Sequence, residues 1–411
     1  MTRYRWVILA AGTAAQASFS AASVGLPALA PALRSHYALT LGQTGVVLGA
    51  MSLGMVPTLF AWGLAADRIG ERAVIALGLA SGGVALAAAG WTRSYPALVA
   101  LLALSGALGC AVNAASGRAV MSWFVEEERG TALGIRQAAI PVGGAAAAVA
   151  LPLLASAGGT KLAFVVLGAG FVAGGALGGA LMREPAGRRG AAPARDERPP
   201  VRDRGMWTLA GGSSLYLTAQ IAFTGFVVLF LHIHRGVSTH AAAAVLATMN
   251  LLGIAARILA GRWSDHLRAR VRPLRTVGLA LAVATVVAAA LVDAPLWVLV
   301  PAFLVAGVLG LSWNGLSFTA AAERAGAARA GAALGLQQTS LAVVGALVSP
   351  AFAALVAGTS WRLAFAVAAA GPLLGAFALR RVPEARAPVQ QYMSASGPRS
   401  HGALPRPQSR S

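Results

Sequence analysis

Charge is what this sequence has least of. Only 11% of its 411 residues are charged and just 13 are acidic, whereas a soluble domain carries about 25% charged residues. One cysteine, Cys110, stands alone in an apolar block. It excludes an intrachain disulfide framework and reads as a small buried hydrophobe. No Gly-x-x-x-x-Gly-Lys-Ser/Thr loop is present, which excludes direct drive by a bound nucleoside triphosphate. No His, Cys, Asp or Glu residues cluster at metal-ligand spacing, and no nucleophile stands near a base. An enzyme is therefore not expected, nor a cofactor or metal.

Apolar surface is abundant. Hydrophobic residues make up 57% of the chain and the mean hydropathy is +0.70. They fall in long runs, and a bilayer core of about 30 Å needs around 20 apolar residues at 1.5 Å each. Such runs place spans at 7–31, 41–65, 73–91, 96–122, 131–156 and 162–182. Six more follow at 207–232, 239–260, 276–292, 296–318, 331–357 and 363–379. Arg3 and Arg5 ahead of an apolar run resemble a signal peptide. The run continues to Leu33, too long for one, so the first helix is expected to be retained.

The net charge of +20 raises nucleic acid as a partner. The basic residues, however, sit in short connectors and tails, where membrane topology puts them, so no nucleic-acid partner is expected. With the N-terminus inside, cytoplasmic segments hold 25 of the 33 Lys and Arg residues. Outer loops hold five, Arg34, Arg93, Lys161, Arg235 and Arg362. The positive-inside rule then places both termini in the cytoplasm, in a multi-pass protein of the cell membrane. The lipid bilayer is its first partner and a monomer is the expected state.

The chain repeats itself. Gly106-Ala-Leu-Gly109 recurs as Gly307-Val-Leu-Gly310, Asn113 as Asn314 and Ser116 as Ser317, all 201 residues apart. Gly130 to Gln137 recurs as Gly331 to Gln338, and Leu162-Ala-Phe164 as Leu363-Ala-Phe365. The fold expected is an all-α membrane protein, twelve transmembrane helices in two pseudo-symmetric six-helix bundles. The bundles cover 1–182 and 206–381, joined by a polar linker at 183–205 and followed by a disordered tail at 382–411. Two parallel repeats put a solute site between them near the midplane.

Between the second and third spans stands Gly63-Leu-Ala-Ala-Asp67-Arg68-Ile-Gly70-Glu71-Arg72. It resembles the signature loop of the major facilitator superfamily, Gly-x-Leu-Ala-Asp-Arg-x-Gly-Arg-Arg/Lys. A weaker copy, Gly261-Arg-Trp-Ser-Asp265-His-Leu-Arg268, follows the eighth span. Ala65 and Glu71 depart from the pattern. The resemblance spans all twelve helices and implies a secondary transporter working by alternating access. It further implies a gating role for Gly63, Asp67, Arg68, Gly70, Arg72, Gly261 and Asp265, since in the family this loop stabilises the outward-facing state. An Asp at a cytoplasmic helix end can cap a helix and pair with Arg, contacts that form in one state and break in the other.

Charged side chains at the bilayer centre cost at least about 2.5–3.5 kcal/mol each, so they point to function. Three fall inside spans: Arg118, Arg136 and Arg257. No acid does. A cationic cavity without a fixed counter-charge suits an anionic or weakly acidic solute. Arg257, in Arg-x-x-x-Gly-x-x-x-Asp, resembles the anion-contacting Arg of nitrate/nitrite and oxalate/formate porters. Arg136 with Gln137 resembles the cyanate permease and nitroimidazole-transporter branch. Arg118 resembles a fourth-span Arg of proton-coupled members and joins the gating set, with a co-transported proton as a further partner. Each Arg could instead snorkel to the interface. Gln16, Asn113, Tyr216, Gln220, Asn314 and Gln338 are polar candidates to complete the site, with interhelical hydrogen bonding as their plainer role. The alternative function is export of lipophilic drugs.

Overall fold

The computed structural model describes residues 3–124, 126–183, 202–326 and 329–384, which are helical almost throughout with no strand among them. Ten helical stretches there are long and apolar enough to cross a membrane. The 48-residue stretch Gly134–Leu181 breaks at Gly158 and Gly159 and so counts twice. The helix over 41–69, ended by a break at Gly70, supplies the twelfth. In chain order these are α1 (Tyr4–His36), α2 (41–69), α3 (71–91), α4 (Tyr95–Val120), α5 (126–157) and α6 (160–181). The second set is α7 (Arg204–Ile233), α8 (Thr239–His266), α9 (Val271–Ala290), α10 (Leu296–Ala325), α11 (Ala330–Gly358) and α12 (Trp361–Arg381). Most of the linker at 183–205 and of the tail at 382–411 lies outside the described residues.

Local chemistry sets the boundaries. Thr40 opens α2 with a reciprocal capping box, its hydroxyl accepting from the Gln43 N–H while Gln43 Oε1 accepts from the Thr40 N–H. Ser94, Ser238 and Ser360 cap α4, α8 and α12 in the simpler way. Gly70 (φ 83°, ψ 160°) and Gly159 (φ 70°, ψ −173°) turn the chain between α2 and α3 and between α5 and α6. That region of backbone space is essentially open to glycine alone.

The repeat reappears in backbone and packing. Positive φ occurs at Ala38 and Gly236 and again at Gly70 and Arg268, each pair 198 residues apart. Gly106 lies against Met51, and its repeat Gly307 against Met249, so α2–α4 and α8–α10 approach in the same way. One apolar core is built almost wholly from the first six helices, including Phe19, Phe164 and Phe171. Two others draw mainly on the last six, one of them around Phe223, Phe230, Phe303 and Phe365.

The seam between the halves is closed at the end opposite the chain termini. There Gly45 of α2 meets Ala353 of α11, and a Cβ on Gly345 would lie 3.3 Å from Ser52 Oγ. Across the pseudo-symmetric pair, a Cβ on Gly144 of α5 would lie 2.9 Å from Asn250 Oδ1 of α8. Ala28 and Ala30 of α1 are buried in the same core as Phe226 of α7. Toward the termini the seam splays. Gly63, Gly134, Gly261 and Gly335 continue the seam-facing stripes of α2, α5, α8 and α11, and none of the described residues lies within 4 Å of where their Cβ atoms would be.

A candidate solute site where the seam opens

Just above the splayed glycines, α5 and α8 bring the two arginines together. Arg136 is buried at 7% exposure and its guanidinium is held entirely by neutral acceptors. Nε donates to Ser116 Oγ at 2.8 Å, Nη1 to Gln137 Oε1 at 3.3 Å, and Nη2 to Gln16 Oε1 at 3.2 Å and the Asn113 carbonyl at 2.9 Å. Those partners come from α1, α4 and α5, so one side chain ties three helices of the first half. Arg257, half-buried on α8, donates from Nε to the Leu311 carbonyl at 3.1 Å and from Nη1 to the Gln137 carbonyl at 3.0 Å. Gln137 thus stands between them, its side chain on Arg136 and its backbone on Arg257.

Among the described residues no carboxylate pairs with either arginine. A guanidinium offers five N–H donors. Arg257 commits two of them, and its Nη2 has no protein acceptor among the described residues. Two uncompensated cations in a low-dielectric seam attract an anion more strongly than the same charges in water would. A planar fork suits a carboxylate or sulfonate-like group.

The second half carries a neutral counterpart. Gln337, fully buried, occupies the repeat position of Arg136 and donates to Ser213 Oγ at 3.1 Å, while Ser317, the repeat of Ser116, donates to the same oxygen at 2.9 Å. Gln220 Oε1 accepts from Trp313 Nε1 at 3.1 Å and Asn314 Nδ2 at 3.2 Å. Gln16, Asn113, Gln220 and Asn314 are therefore grouped in polar nodes, although Asn113 contributes its carbonyl. Tyr216 is placed elsewhere: it is fully buried, donates to the Leu274 carbonyl at 3.2 Å and packs edge-on against Trp313. Gln338 is half-buried and makes no hydrogen bond among the described residues. Sequence reading passed over Gln337, although the Ser116 and Ser317 identity pointed to its neighbourhood.

Of the gating set, Arg118 Nε meets Glu71 Oε1 at 3.1 Å, so the residue that departs from the signature is the one that holds a cation. Asp265 pairs with Arg270, whose Nε also reaches Glu323 Oε1 at 2.9 Å. Arg68 and Arg72 are exposed. The side chain of Asp67 lies outside the described residues.

Beyond this geometry, sequence comparison decides the family. The model for the Major Facilitator Superfamily matches residues 11–349. The chain belongs to that superfamily. An uncharacterized MFS-type transporter of Mycobacterium tuberculosis is 33% identical over 383 residues, covering 92% of this chain and 84% of the relative. A probable sulfoacetate transporter of Cupriavidus necator is 30% identical over 146 residues, 36% of this chain and 34% of the relative. The hexuronate transporter of Bacillus subtilis is 27% identical over 143 residues, 34% of this chain and 33% of the relative. The fold matches the xylose transporter XylE of E. coli in a partially occluded inward-open conformation. Its TM-score is 0.75 at 16% identity, over 93% of this chain and 98% of that one. This member of the superfamily is a multi-pass membrane transporter and not an enzyme.

Proposed function

We propose that this transporter moves a small anionic or weakly acidic solute across the cell membrane, gripped between Arg136 and Arg257. The observation that carries the reading is the pair of arginines on either side of Gln137 with only neutral acceptors around them. The pseudo-symmetry sharpens it. The repeat positions of Arg136 and Arg257 hold Gln337 and Leu59, so the cations are additions to one side of the seam and not part of the packing that both halves share. Two relatives that align over about a third of this chain carry names of anion transporters, for hexuronate and sulfoacetate.

The positive-inside excess puts both termini in the cytoplasm. The seam is splayed at that end, so the structure is read as the inward-facing state. Alternating access then closes Gly63 toward Gly335 and Gly134 toward Gly261, while the Gly345 and Gly144 contacts separate. With no acid in the seam, a proton would travel on the solute or at the Arg118–Glu71 pair.

The test is counterflow in proteoliposomes loaded with a panel of small carboxylates and sulfonates, with and without a pH gradient. Exchange of one anion that disappears in Arg257→Gln supports the reading. Efflux of lipophilic dyes without any anion exchange overturns it in favour of drug export.

A further inference from the structure

A second cationic site lies outside the seam, where α9 enters the membrane at the end carrying the termini. A pocket of about 500 Å³ is lined by Ala269, Arg272, Arg275, Thr276, Leu279 and Glu384, among others. Arg272, Arg275, Thr276 and Leu279 follow one another at helical spacings of three, one and three residues, which puts them on one face of α9. That face passes from charge to hydroxyl to apolar within two turns, about 10 Å of helix. It continues into an exposed apolar surface, since Leu279, Val283, Val286 and Val287 all lie open on α9.

The cations of this pocket are uncommitted. Neither Arg272 nor Arg275 makes a side-chain hydrogen bond among the described residues, and Arg275 Nε is buried without a partner. The neighbouring acid does not serve them. Glu384 caps the start of α9 instead, its Oε2 accepting from the Arg270 and Val271 N–H groups at 2.8 and 2.9 Å and its Oε1 from the Arg272 N–H at 2.6 Å. A helix N-terminus carries about half a positive charge and offsets part of the carboxylate's, so with its two guanidinium groups the pocket stays net positive toward an external anion.

We infer that this pocket binds the headgroup of an anionic phospholipid, with the phosphate on Arg272 and Arg275 and an acyl chain along Leu279 and Val283. A free phosphate would be served by the cations alone. The unbroken apolar continuation on the same helix face is what favours a lipid, as in basic pockets at the ends of membrane helices. The site is separate from the arginines of the seam, and the inference does not depend on which solute is carried.

The test uses the purified full-length protein in a neutral detergent. Bound molecules are counted by native mass spectrometry during titration with dioctanoyl phosphatidylglycerol, dioctanoyl phosphatidylcholine or inorganic phosphate. The glycerol lipid should bind at least tenfold more tightly than the choline lipid. That preference should vanish in Arg272→Gln/Arg275→Gln and return in large part in Arg272→Lys/Arg275→Lys, a rescue that also shows the pocket still folds. Arg3→Gln/Arg380→Gln, which removes two charges from the same end, should leave it intact. An unchanged preference in the double Gln variant overturns the inference. Inorganic phosphate that displaces the lipid at equal concentration also overturns it and assigns the pocket to a soluble anion.

Discussion

Arg257 Nη1 donates to the Gln137 carbonyl at 3.0 Å, and this is where the two halves of the transporter meet at the candidate site. One turn further toward the termini, none of the described residues comes within 4 Å of where the Cβ atoms of Gly134 and Gly261 would be. The cation therefore sits at the last closed rung of the α5–α8 seam, where a bound anion would touch both halves at once. A ligand shifts a two-state equilibrium only through contacts that differ between the states. Arg257 is placed to make such contacts.

Arg257→Gln should lower counterflow at least tenfold while leaving expression and a monodisperse elution profile unchanged. Arg257→Lys should restore little, because an ammonium lacks the planar fork and cannot reach two acceptors in fixed geometry. Full counterflow in Arg257→Gln sinks the anion reading.

Arg136 carries more structural weight. Arg136→Leu leaves the buried Gln16 Oε1 without its donor and takes one partner from Ser116 Oγ and the Asn113 carbonyl, and an unsatisfied buried polar group costs about 1–3 kcal/mol. Thermal unfolding in detergent should show a clear loss. Arg136→Gln copies the residue that fills the equivalent place as Gln337, so it should recover most of the stability but not the anion counterflow.

The closed end of the seam can be trapped. A Cβ on Gly345 would stand 3.6 Å from Ser52 Cβ, within the spacing of a disulfide. In a Cys110→Ser background, Ser52→Cys/Gly345→Cys should oxidise readily and abolish transport until reduced. Gly63→Cys/Gly335→Cys should resist oxidation in this state, and should cross-link only when the opposite state is populated. Equal oxidation of both pairs without any effect on transport would refute the two-state seam.

Two equivalent turns should respond in opposite directions to opposite changes. Gly70→Ala forces a side chain into backbone space that only glycine occupies readily, at a cost of about 1–3 kcal/mol. Arg268, its repeat, already bears φ 48°. Arg268→Gly should therefore raise the melting temperature in detergent, and a fall would show that the Arg268 side chain does more than tolerate its turn.

Asp203 caps α7 and accepts from Arg324 Nε at 2.7 Å and Nη2 at 3.2 Å. The Arg324 hydrogen bond, above all, holds its carboxyl below the ordinary carboxylate pKa. A depressed folded pKa stabilises fully above the unfolded value, about 3.9, and the stabilisation is lost as pH falls through the folded value. Asp203→Asn should thus lower the melting temperature at pH 7, and the gap to the parent should close below about pH 4. A gap that persists in acid would assign the effect to packing.

The sequence by itself determined the membrane class, the twelve helices and the repeat. Each rests on a local or periodic property, such as apolar run length or a glycine at a turn, that needs no knowledge of distant neighbours. It also selected Arg136 and Arg257, because an intramembrane cation is costly wherever it lies. Partnership was a tertiary matter. That Arg257 meets Gln137, that Arg118 meets Glu71 and that Glu384 reaches back to cap α9 depend on the rotation and register of helices far apart in the chain. The same rotation turns Tyr216 into the α7–α9–α10 core, although as a polar residue in a span it was a candidate to complete the site. Whether the seam is open or closed at a given end is likewise decided by how two rigid bundles lean together, since each helix is equally helical in either state.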